Sequence, residues 1–285
     1  MMKYDVAGRT VAITGAGGGL GGALAEALRA RKANVALLDI NLDAVTAHAE
    51  RLGGSTVSRG WRANVRDLAS LEEAMQGVVD HFGRLDVVIA AAGVGDVIAP
   101  LSMTDEADWE RVIDINLNGI WRTFKAAAPY VEQQQGHLMA IASLASFSHS
   151  PLHSSYTASK AAVWGMCDSL RLEFRHLGVT VGSVHPTFFK TPMVDVTDPV
   201  ALKIWGNFEG QFALIPLDTV IADILRGIER RSAHVVSPRK LAIAAVAPGL
   251  IQKISDRSGY PDSAIREAIE LVKAQRASSK GSAPN

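Results

Sequence analysis

The amino-acid sequence predicts an α/β protein with one doubly wound parallel sheet in a single domain. Short apolar runs alternate with stretches of helical apolar spacing, and the runs are apolar at nearly every position. Such strands suit a parallel sheet covered on both faces, and the alternation predicts right-handed crossovers. The chain of 285 residues shows no repeat of fixed period, so we expect one domain over residues 1–285.

The individual elements follow from the spacing of apolar residues. β-branched and aliphatic runs bounded by polar or glycine-rich segments predict strands. Stretches with apolar residues three and four positions apart predict helices. The predicted strands are 10–14, 34–39, 85–90, 137–142 and 179–185, and helices are predicted at 20–32 and 42–52.

The regular pattern ends after residue 186. Residues 187–216 are rich in proline and aromatic side chains, and we expect them to form a lid over a substrate pocket. An extended C-terminal segment, about 240–285, begins with the apolar stretch 240–254, which is too short to span a bilayer. That stretch could close the pocket, pack against another subunit or touch a lipid surface.

Composition and charge exclude several classes of protein. Twenty-nine basic residues balance 29 acidic ones, with no basic stripe, so we expect no nucleic-acid partner. Cys167 is the one cysteine, which predicts neither an internal disulfide nor a metal site. No apolar run approaches the roughly 18 residues of a membrane span, and the N-terminus has no apolar signal core, so we expect a cytoplasmic protein without an integral membrane segment.

A glycine-rich turn joins the first predicted strand to the first helix. Gly15, Gly19 and Gly21 lie in "TGAGGGLGGAL", where positive φ and the lack of a Cβ let backbone N–H groups approach a pyrophosphate. Asp39 ends the second strand 18 residues after Gly21, about where a carboxylate binds an adenosine ribose. These features predict a Rossmann-like site for NAD, since no Arg or Lys accompanies Asp39 in "LLDINLD" to bind the extra phosphate of NADP.

A second motif, "SSYTASKAAV", places Tyr156 and Lys160 four residues apart on one helical face. A free phenol has a pKa of about 10, and a nearby ammonium favours the phenolate. The pair therefore predicts a tyrosine that acts as a general acid and base on an alcohol or carbonyl. Alone, this spacing is weak evidence.

Together these motifs resemble those of the short-chain dehydrogenase/reductase family, over roughly residues 6–240. "TGAGGGLG" is similar to the family's Thr-Gly-x-x-x-Gly-x-Gly motif and "YTASK" to its Tyr-x-x-x-Lys motif. The family's serine, thirteen residues before the tyrosine, corresponds to Ser143, and its asparagine corresponds to Asn116 in "DINLNG".

The resemblance implies a role for each of these residues. Tyr156 exchanges a proton with the substrate oxygen, and Ser143 hydrogen-bonds that oxygen. Lys160 lowers the tyrosine pKa and holds the nicotinamide ribose, while Asn116 supports a water chain behind Lys160. The implied cofactor-binding residues are Gly15, Gly19, Leu20, Gly21, Asp39, Asn64, Val65, Ala91, Gly93, Tyr156, Lys160, Pro186 and Thr191.

The chain departs from the family pattern at three places. "AAAG", 90–93, replaces Asn-Asn-Ala-Gly, so amide side chains that would stiffen the centre of the sheet are missing. Asn64 stands where the family has aspartate, and its side-chain carbonyl can still accept a bond from adenine. Pro186-Thr187 replaces Pro-Gly beside the nicotinamide, where Thr187 restricts the backbone.

The resemblance also implies which residues border the substrate. Aromatic side chains there suggest a mostly apolar pocket, and each could equally be a core or dimer contact. The reading is therefore an NAD-dependent oxidoreductase for a small apolar secondary alcohol or ketone, which pairs into a homodimer or homotetramer. An NADP-dependent carbonyl reductase and a non-catalytic nucleotide-binding protein are the alternatives. The predicted substrate-binding residues are Ser143, Phe147, His153, Tyr156, Phe188, Trp205 and Phe212.

Overall fold

The structure is a computed structural model that describes residues 3–191, 193–194 and 196–281. Within that part of the chain, seven strands form one all-parallel sheet in the order β3-β2-β1-β4-β5-β6-β7. The predicted doubly wound, Rossmann-like single domain is confirmed. The strands are β1 (Thr10–Thr14), β2 (Asn34–Asp39), β3 (Ser58–Arg62), β4 (Val87–Ala90), β5 (His137–Ile141), β6 (Thr180–Pro186) and β7 (His234–Ser237).

Helices connect the strands and cover both faces of the sheet. A π-helical turn, Asp114–Asn118, joins the fourth helix to the fifth. The helices are α1 (Gly19–Ala30), α2 (Leu42–Arg51), α3 (Leu68–Phe82), α4 (Glu106–Ile113), α5 (Gly119–Gln133), α6 (Ser154–Phe174), α7 (Pro199–Ile204), α8 (Leu217–Arg230), α9 (Ile243–Val246), α10 (Pro248–Ser258) and α11 (Asp262–Gly281).

Two apolar layers sandwich the sheet. Successive residues of a strand point to opposite faces, so Ala12 packs with α3, α5 and α6 whereas Val11 and Ile13 pack with α1 and α8. All five residues of β1 are buried. Burial on both faces explains why the strands read as continuous apolar runs in the sequence.

A buried carboxylate ties the amino ends of β1 and β4 together. Asp86 accepts hydrogen bonds from the Thr10 amide at 3.0 Å, from Arg9 Nη1 at 2.8 Å and from Arg84 Nε at 2.7 Å. Burial raises the pKa of Asp86, but the bonds from Arg84, Thr10 and Arg9 outweigh that effect and lower it. This ion cluster lies at the edge of the sheet opposite the strand carboxyl ends.

The strand order reverses between β1 and β4. In open α/β sheets, a crevice forms at the carboxyl ends of the strands on either side of such a reversal. The glycine-rich turn follows β1, and residues 91–100 follow β4, so both segments start at this crevice. The fold therefore indicates this edge of the sheet as the place for a binding site.

A smaller apolar cluster stands apart from the sheet. Residues of the predicted lid, 187–216, pack there against α11 through Ala268 and Val272. The α10 helix lies against the loop before α6, where Ser148 Oγ and Ser255 Oγ are 3.1 Å apart and the His149 amide donates to Gln252 Oε1 at 2.7 Å. The extended segment thus covers the loop between β5 and α6.

Parts of these two predicted segments lie outside the described residues, namely Pro192 and Asp195 of the lid and residues 282–285 of the C-terminal segment. No helix in the described ranges combines the length and apolar character that crossing a bilayer requires.

Candidate active site

The glycine-rich turn has no room for larger side chains. Gly15 has φ +70°, and a Cβ placed on it would lie 2.7 Å from Ala92 Cα. A Cβ on Gly21 would collide with the Gly15 carbonyl oxygen. The turn leads directly into α1, which begins at Gly19 and includes Leu20, so first-turn N–H groups are presented toward the crevice. This cradle fits a pyrophosphate group.

Asp39 lies beside that turn. Its carboxylate accepts hydrogen bonds from the Gly17 amide and the Asn41 amide, each at 3.0 Å. The position at the end of β2 fits a ribose site adjacent to the pyrophosphate cradle.

The sheet also pairs the Asp39 backbone with that of a basic residue outside the local sequence. In the β2–β3 pairing, Asp39 is in register with Arg62, which is exposed. The lack of Arg and Lys in "LLDINLD" therefore does not extend to the adjacent strand.

The predicted adenine-side residues lie around the start of α3 and the end of β4. Asn64 Oδ1 accepts a hydrogen bond from the Arg66 amide at 3.0 Å, leaving one lone pair for a ligand. Val65 packs close to Gly119, since a Cβ there would lie 3.1 Å from the valine side chain. The Ala91 amide donates to Thr14 Oγ1 at 3.2 Å.

The Thr14 hydroxyl contacts the segment in which the family's asparagine side chains are missing. Thr14 Oγ1 also accepts from the Ala92 amide at 3.4 Å. The threonine hydroxyl therefore joins β1 to the segment after β4, where the resemblance had implied asparagine side chains.

Asn116 sits in the π-helical turn between α4 and α5 and is fully buried. Its Nδ2 donates to the Val94 carbonyl at 2.9 Å, and its Oδ1 accepts from the Val94 amide at 2.8 Å. A Cβ on Gly93 would lie 3.2 Å from Asn116 Oδ1 and 3.7 Å from Lys160 Nζ. The three residues thus meet at one point behind α6.

Ser143, Tyr156 and Lys160 converge in front of that point. Lys160 Nζ donates to the Ile141 carbonyl at 2.9 Å and lies 5.5 Å from the centroid of the Tyr156 ring. Ser143 follows β5, and its hydroxyl accepts from the Ala145 amide at 3.2 Å. The structure therefore brings all four predicted catalytic residues to one edge of the sheet.

The pKa values of Tyr156 and Lys160 differ from what their spacing in the sequence predicts. Burial raises the pKa of Tyr156 to about 12; a hydrogen bond with Ser143 opposes this rise, and the charge of Asp96 adds to it. Burial lowers the pKa of Lys160 to about 8. The expected lowering of the tyrosine pKa is absent here because the ammonium is bonded to Ile141 and desolvation dominates.

The predicted nicotinamide-side residues follow β6. Pro186 ends the strand, and the Thr187 amide donates to the Ser237 carbonyl at 2.9 Å, which fixes the backbone of this loop. The Thr191 carbonyl accepts from the Val194 amide at 3.1 Å, and Thr191 is half-buried. Its side chain therefore has surface to offer a ligand.

The predicted substrate residues divide into two groups. His153 stacks on Tyr156 with ring centroids 4.6 Å apart, and Trp205 contacts His153 edge-on at 5.3 Å. Phe188 lies 5.0 Å from Trp205 and 6.4 Å from Phe212. These five rings form one continuous aromatic group that begins at the predicted acid–base residue.

Phe147 does not belong to this aromatic group. It is 1% exposed and packs against Trp164 and His185, with ring centroids 4.7 and 4.3 Å away. Its prediction as a substrate contact is not supported by this placement, because the ring has no surface to offer. Trp205 is also only 5% exposed, so most of its ring belongs to the cluster with α11.

One acidic residue beside the site was missed. Asp96, in the segment after β4, accepts from Ser155 Oγ at 3.0 Å and from the Tyr156 amide at 3.2 Å, and it pairs with His153 Nδ1. The partners lie about sixty residues later in the chain, so no spacing rule could have linked them.

Sequence comparison with known proteins supports the resemblance to short-chain dehydrogenases. A family model described as short chain dehydrogenase matches residues 9–199. The chain is 35% identical over 208 residues to a (-)-trans-carveol dehydrogenase of Rhodococcus erythropolis, covering 66% of this chain and 74% of the relative. It is 33% identical over 192 residues to a D-threitol dehydrogenase of Mycolicibacterium smegmatis, covering 67% and 74%.

A solved structure supports the fold independently. The crystal structure of gox2181 superposes with a TM-score of 0.75, covering 84% of this chain and 97% of that one. Its sequence identity is 23%, so this likeness concerns the fold.

Proposed function

Because the chain belongs to the short-chain dehydrogenase/reductase family, and is thus an oxidoreductase that uses a nicotinamide cofactor, we propose that it transfers a hydride between NAD(H) and an apolar secondary alcohol or ketone. The observation that carries the proposal is the convergence of Ser143, Tyr156, Lys160 and Asn116 beside a glycine turn that fits a pyrophosphate. Gly93 and the buried amide of Asn116 hold the rear of this group together.

The chemistry follows from what each side chain can do. When bound, the nicotinamide supplies or takes up the hydride. The Tyr156 phenolate takes the proton of the alcohol, and in the reverse direction the phenol gives that proton to the carbonyl oxygen. Ser143 donates a hydrogen bond to that oxygen and stabilises charge on it. Lys160 supplies positive charge near the phenol and reaches the ribose hydroxyls.

The preference for NAD rests on Asp39. A carboxylate at the end of β2 accepts bonds from ribose hydroxyls and repels a phosphate at the same place. Arg62 in the neighbouring strand is the observation that favours the second candidate, an NADP-dependent carbonyl reductase. Asp39 is held against the turn by the Gly17 amide, and so it meets the ribose before the exposed arginine does.

The apolar character of the substrate rests on the aromatic group. Phe188 and Phe212 are half-buried and follow Tyr156 and His153 outward from the acid–base residue. Two of the relatives are named for the alcohols carveol and threitol, one a terpenoid and one a small polyol. The aromatic walls favour the less polar class for this chain.

A homodimer or homotetramer remains part of the proposal. Trp121 on α5 and Leu172 on α6 are large apolar side chains that are 45% and 59% exposed. We propose that these faces pair. Light scattering of wild type and Leu172→Asp tests this, and an unchanged mass would refute it.

The decisive experiment is a screen of alcohols and ketones with NAD(H) and NADP(H), followed at the reduced nicotinamide absorbance. For the best substrate, Tyr156→Phe should lower turnover by about 10²–10⁴ with cofactor binding retained. Lys160→Met should lower turnover and also weaken cofactor binding. A Tyr156→Phe enzyme with more than about a tenth of the wild-type rate would show that the phenol is not the acid–base group.

A further inference from the structure

A buried carboxylate and the imidazole that it contacts lie beside the phenol ring. Asp96 is buried, with its side chain 3% exposed, and one of its oxygens pairs with His153 Nδ1. The other oxygen accepts the Ser155 hydroxyl at 3.0 Å and the Tyr156 amide at 3.2 Å. The carboxylate thus satisfies the first turn of α6 from a different part of the chain.

The imidazole is fixed on two sides. Its ring lies nearly parallel to the Tyr156 ring, at 4.6 Å and 27°, and Trp205 closes another side edge-on at 5.3 Å. With Nδ1 against Asp96 and only 14% of the side chain exposed, His153 cannot turn away without losing its contact with the carboxylate. It is therefore held over the face of the phenol.

From this geometry we propose that Asp96 and His153 act as a positioning pair for Tyr156, in which the carboxylate holds the imidazole against the face of the phenol ring. The proposal rests on the proposed function, in which Tyr156 is the acid–base residue. Neither residue needs to touch the reacting atoms.

The charges around the phenol support a need for such a pair. Asp96 faces the imidazole from the segment after β4, and Tyr156 faces it from α6; the end of α7 contributes the neutral Trp205. The Lys160 ammonium lies 5.5 Å from the centroid of the phenol ring and is bonded to the Ile141 carbonyl. The Asp96 charge raises the pKa of Tyr156, so an unpaired carboxylate would oppose ionisation.

The consequence is a coupling between two side chains. When the imidazole carries a proton and the carboxylate does not, the net charge of the pair is zero, and a cation lies against the ring that must become negative. With glutamine at 153, no positive charge can face the ring, while the Ser155 hydroxyl and the Tyr156 amide still donate to the carboxylate. The phenol then ionises only at higher pH.

The test uses His153→Gln, which keeps a donor for Asp96 but cannot carry a positive charge. For alcohol oxidation, kcat/KM rises as Tyr156 ionises, and this limb should move up by about one pH unit or more in His153→Gln. Adding Asp96→Asn removes the opposing charge, so the double variant should return most of the way to wild type. Ser155→Ala, which removes one bond and no charge, is the matched control and should leave the limb in place.

A readout independent of turnover separates this proposal from the function itself. In enzyme saturated with NADH, the ¹³Cζ resonance of Tyr156, assigned by its loss in Tyr156→Phe, reports phenol ionisation directly. It should titrate at higher pH in His153→Gln and shift back in the double variant. An unmoved resonance, or shifts that simply add in the double variant, would overturn the pairing even in an active enzyme. Absence of turnover with an altered resonance would instead count against the proposed reaction.

Discussion

Replacing Asp39 with alanine should change which nicotinamide cofactor the enzyme uses. In the wild type, the carboxylate lies beside the glycine turn, fixed by the Gly17 amide at 3.0 Å. A 2′-phosphate would meet this negative charge at close range. We expect wild type to favour NAD over NADP by about tenfold or more in kcat/KM, and Asp39→Ala to narrow that preference.

The magnitude follows from Coulomb's law with screening. At a separation of about 4 Å and an effective dielectric of about 20, two unit charges repel by about 4 kcal/mol. Relaxation and solvent reduce this, and a quarter of it, about 1 kcal/mol, already corresponds to about fivefold. Lost hydrogen bonds to the ribose, each about 1 kcal/mol, account for the rest.

Arg62 allows a second test of the cofactor preference. It is in register with Asp39 on the adjacent strand, so we expect its charge to act on the ribose site in Asp39→Ala. NADP use should then improve in absolute terms, and Asp39→Ala/Arg62→Ala should lose that improvement while NAD use stays weak. Asp43→Ala, an exposed acidic position in the first turn of α2, controls for net charge.

The assay is steady-state kinetics with both cofactors on all four proteins, at fixed ionic strength because salt screens exposed charges. Equal or better use of NADP by the wild type would refute the placement of Asp39 at the ribose. An Asp39→Ala enzyme that loses both cofactors equally would show that the carboxylate serves the turn and not the ribose.

The remaining predictions concern the lid and stability. Phe188→Ala should raise KM for bulky apolar substrates and leave cofactor affinity unchanged. Trp205→Ala should mainly lower the free energy of unfolding, by about 3–5 kcal/mol, because its ring is buried. Equal increases in KM for the two variants, without a loss of Tm in Trp205→Ala, would contradict this difference. Asp86→Asn should destabilise the fold by about 1.5–3 kcal/mol, because Arg9 and Arg84 lose their charged partner but keep part of their side chains in solvent. Because folding lowers the pKa of Asp86, its contribution is present above about pH 4 and is lost as pH falls through the lowered value, so denaturation curves of the two proteins should converge in acid.

Much of the fold could be read from the chain because parallel strands covered on both faces leave a plain apolar signature. The first strand, residues 10–14, and the second, 34–39, agree with the structure residue for residue. β3 (Ser58–Arg62) was not predicted, since "SRGWR" is polar and only Ser58 among its residues is buried. This edge strand lacks the apolar pattern because it buries little of its surface.

The site likewise combines residues that a local motif identifies with residues that lie far away in the sequence. The glycine turn and the Tyr156–Lys160 spacing are local, and so they were visible in sequence. Asp96 and Arg62 reach the site only through sheet pairing and helix packing, and they bear no motif. The raised pKa of Tyr156 likewise depends on burial, which no spacing reveals.

The π-helical turn at Asp114–Asn118 restricts the length of the chain as well as its composition. It lies within one continuous helical path from α4 through α5, and it holds Asn116 against Val94 by two hydrogen bonds. Removing one residue there would leave a regular helix, but everything beyond would rotate by about 100°. Insertions and deletions should therefore be tolerated in neighbouring loops and not in this segment, and an alignment that places a gap here would pair the wrong residue with Asn116.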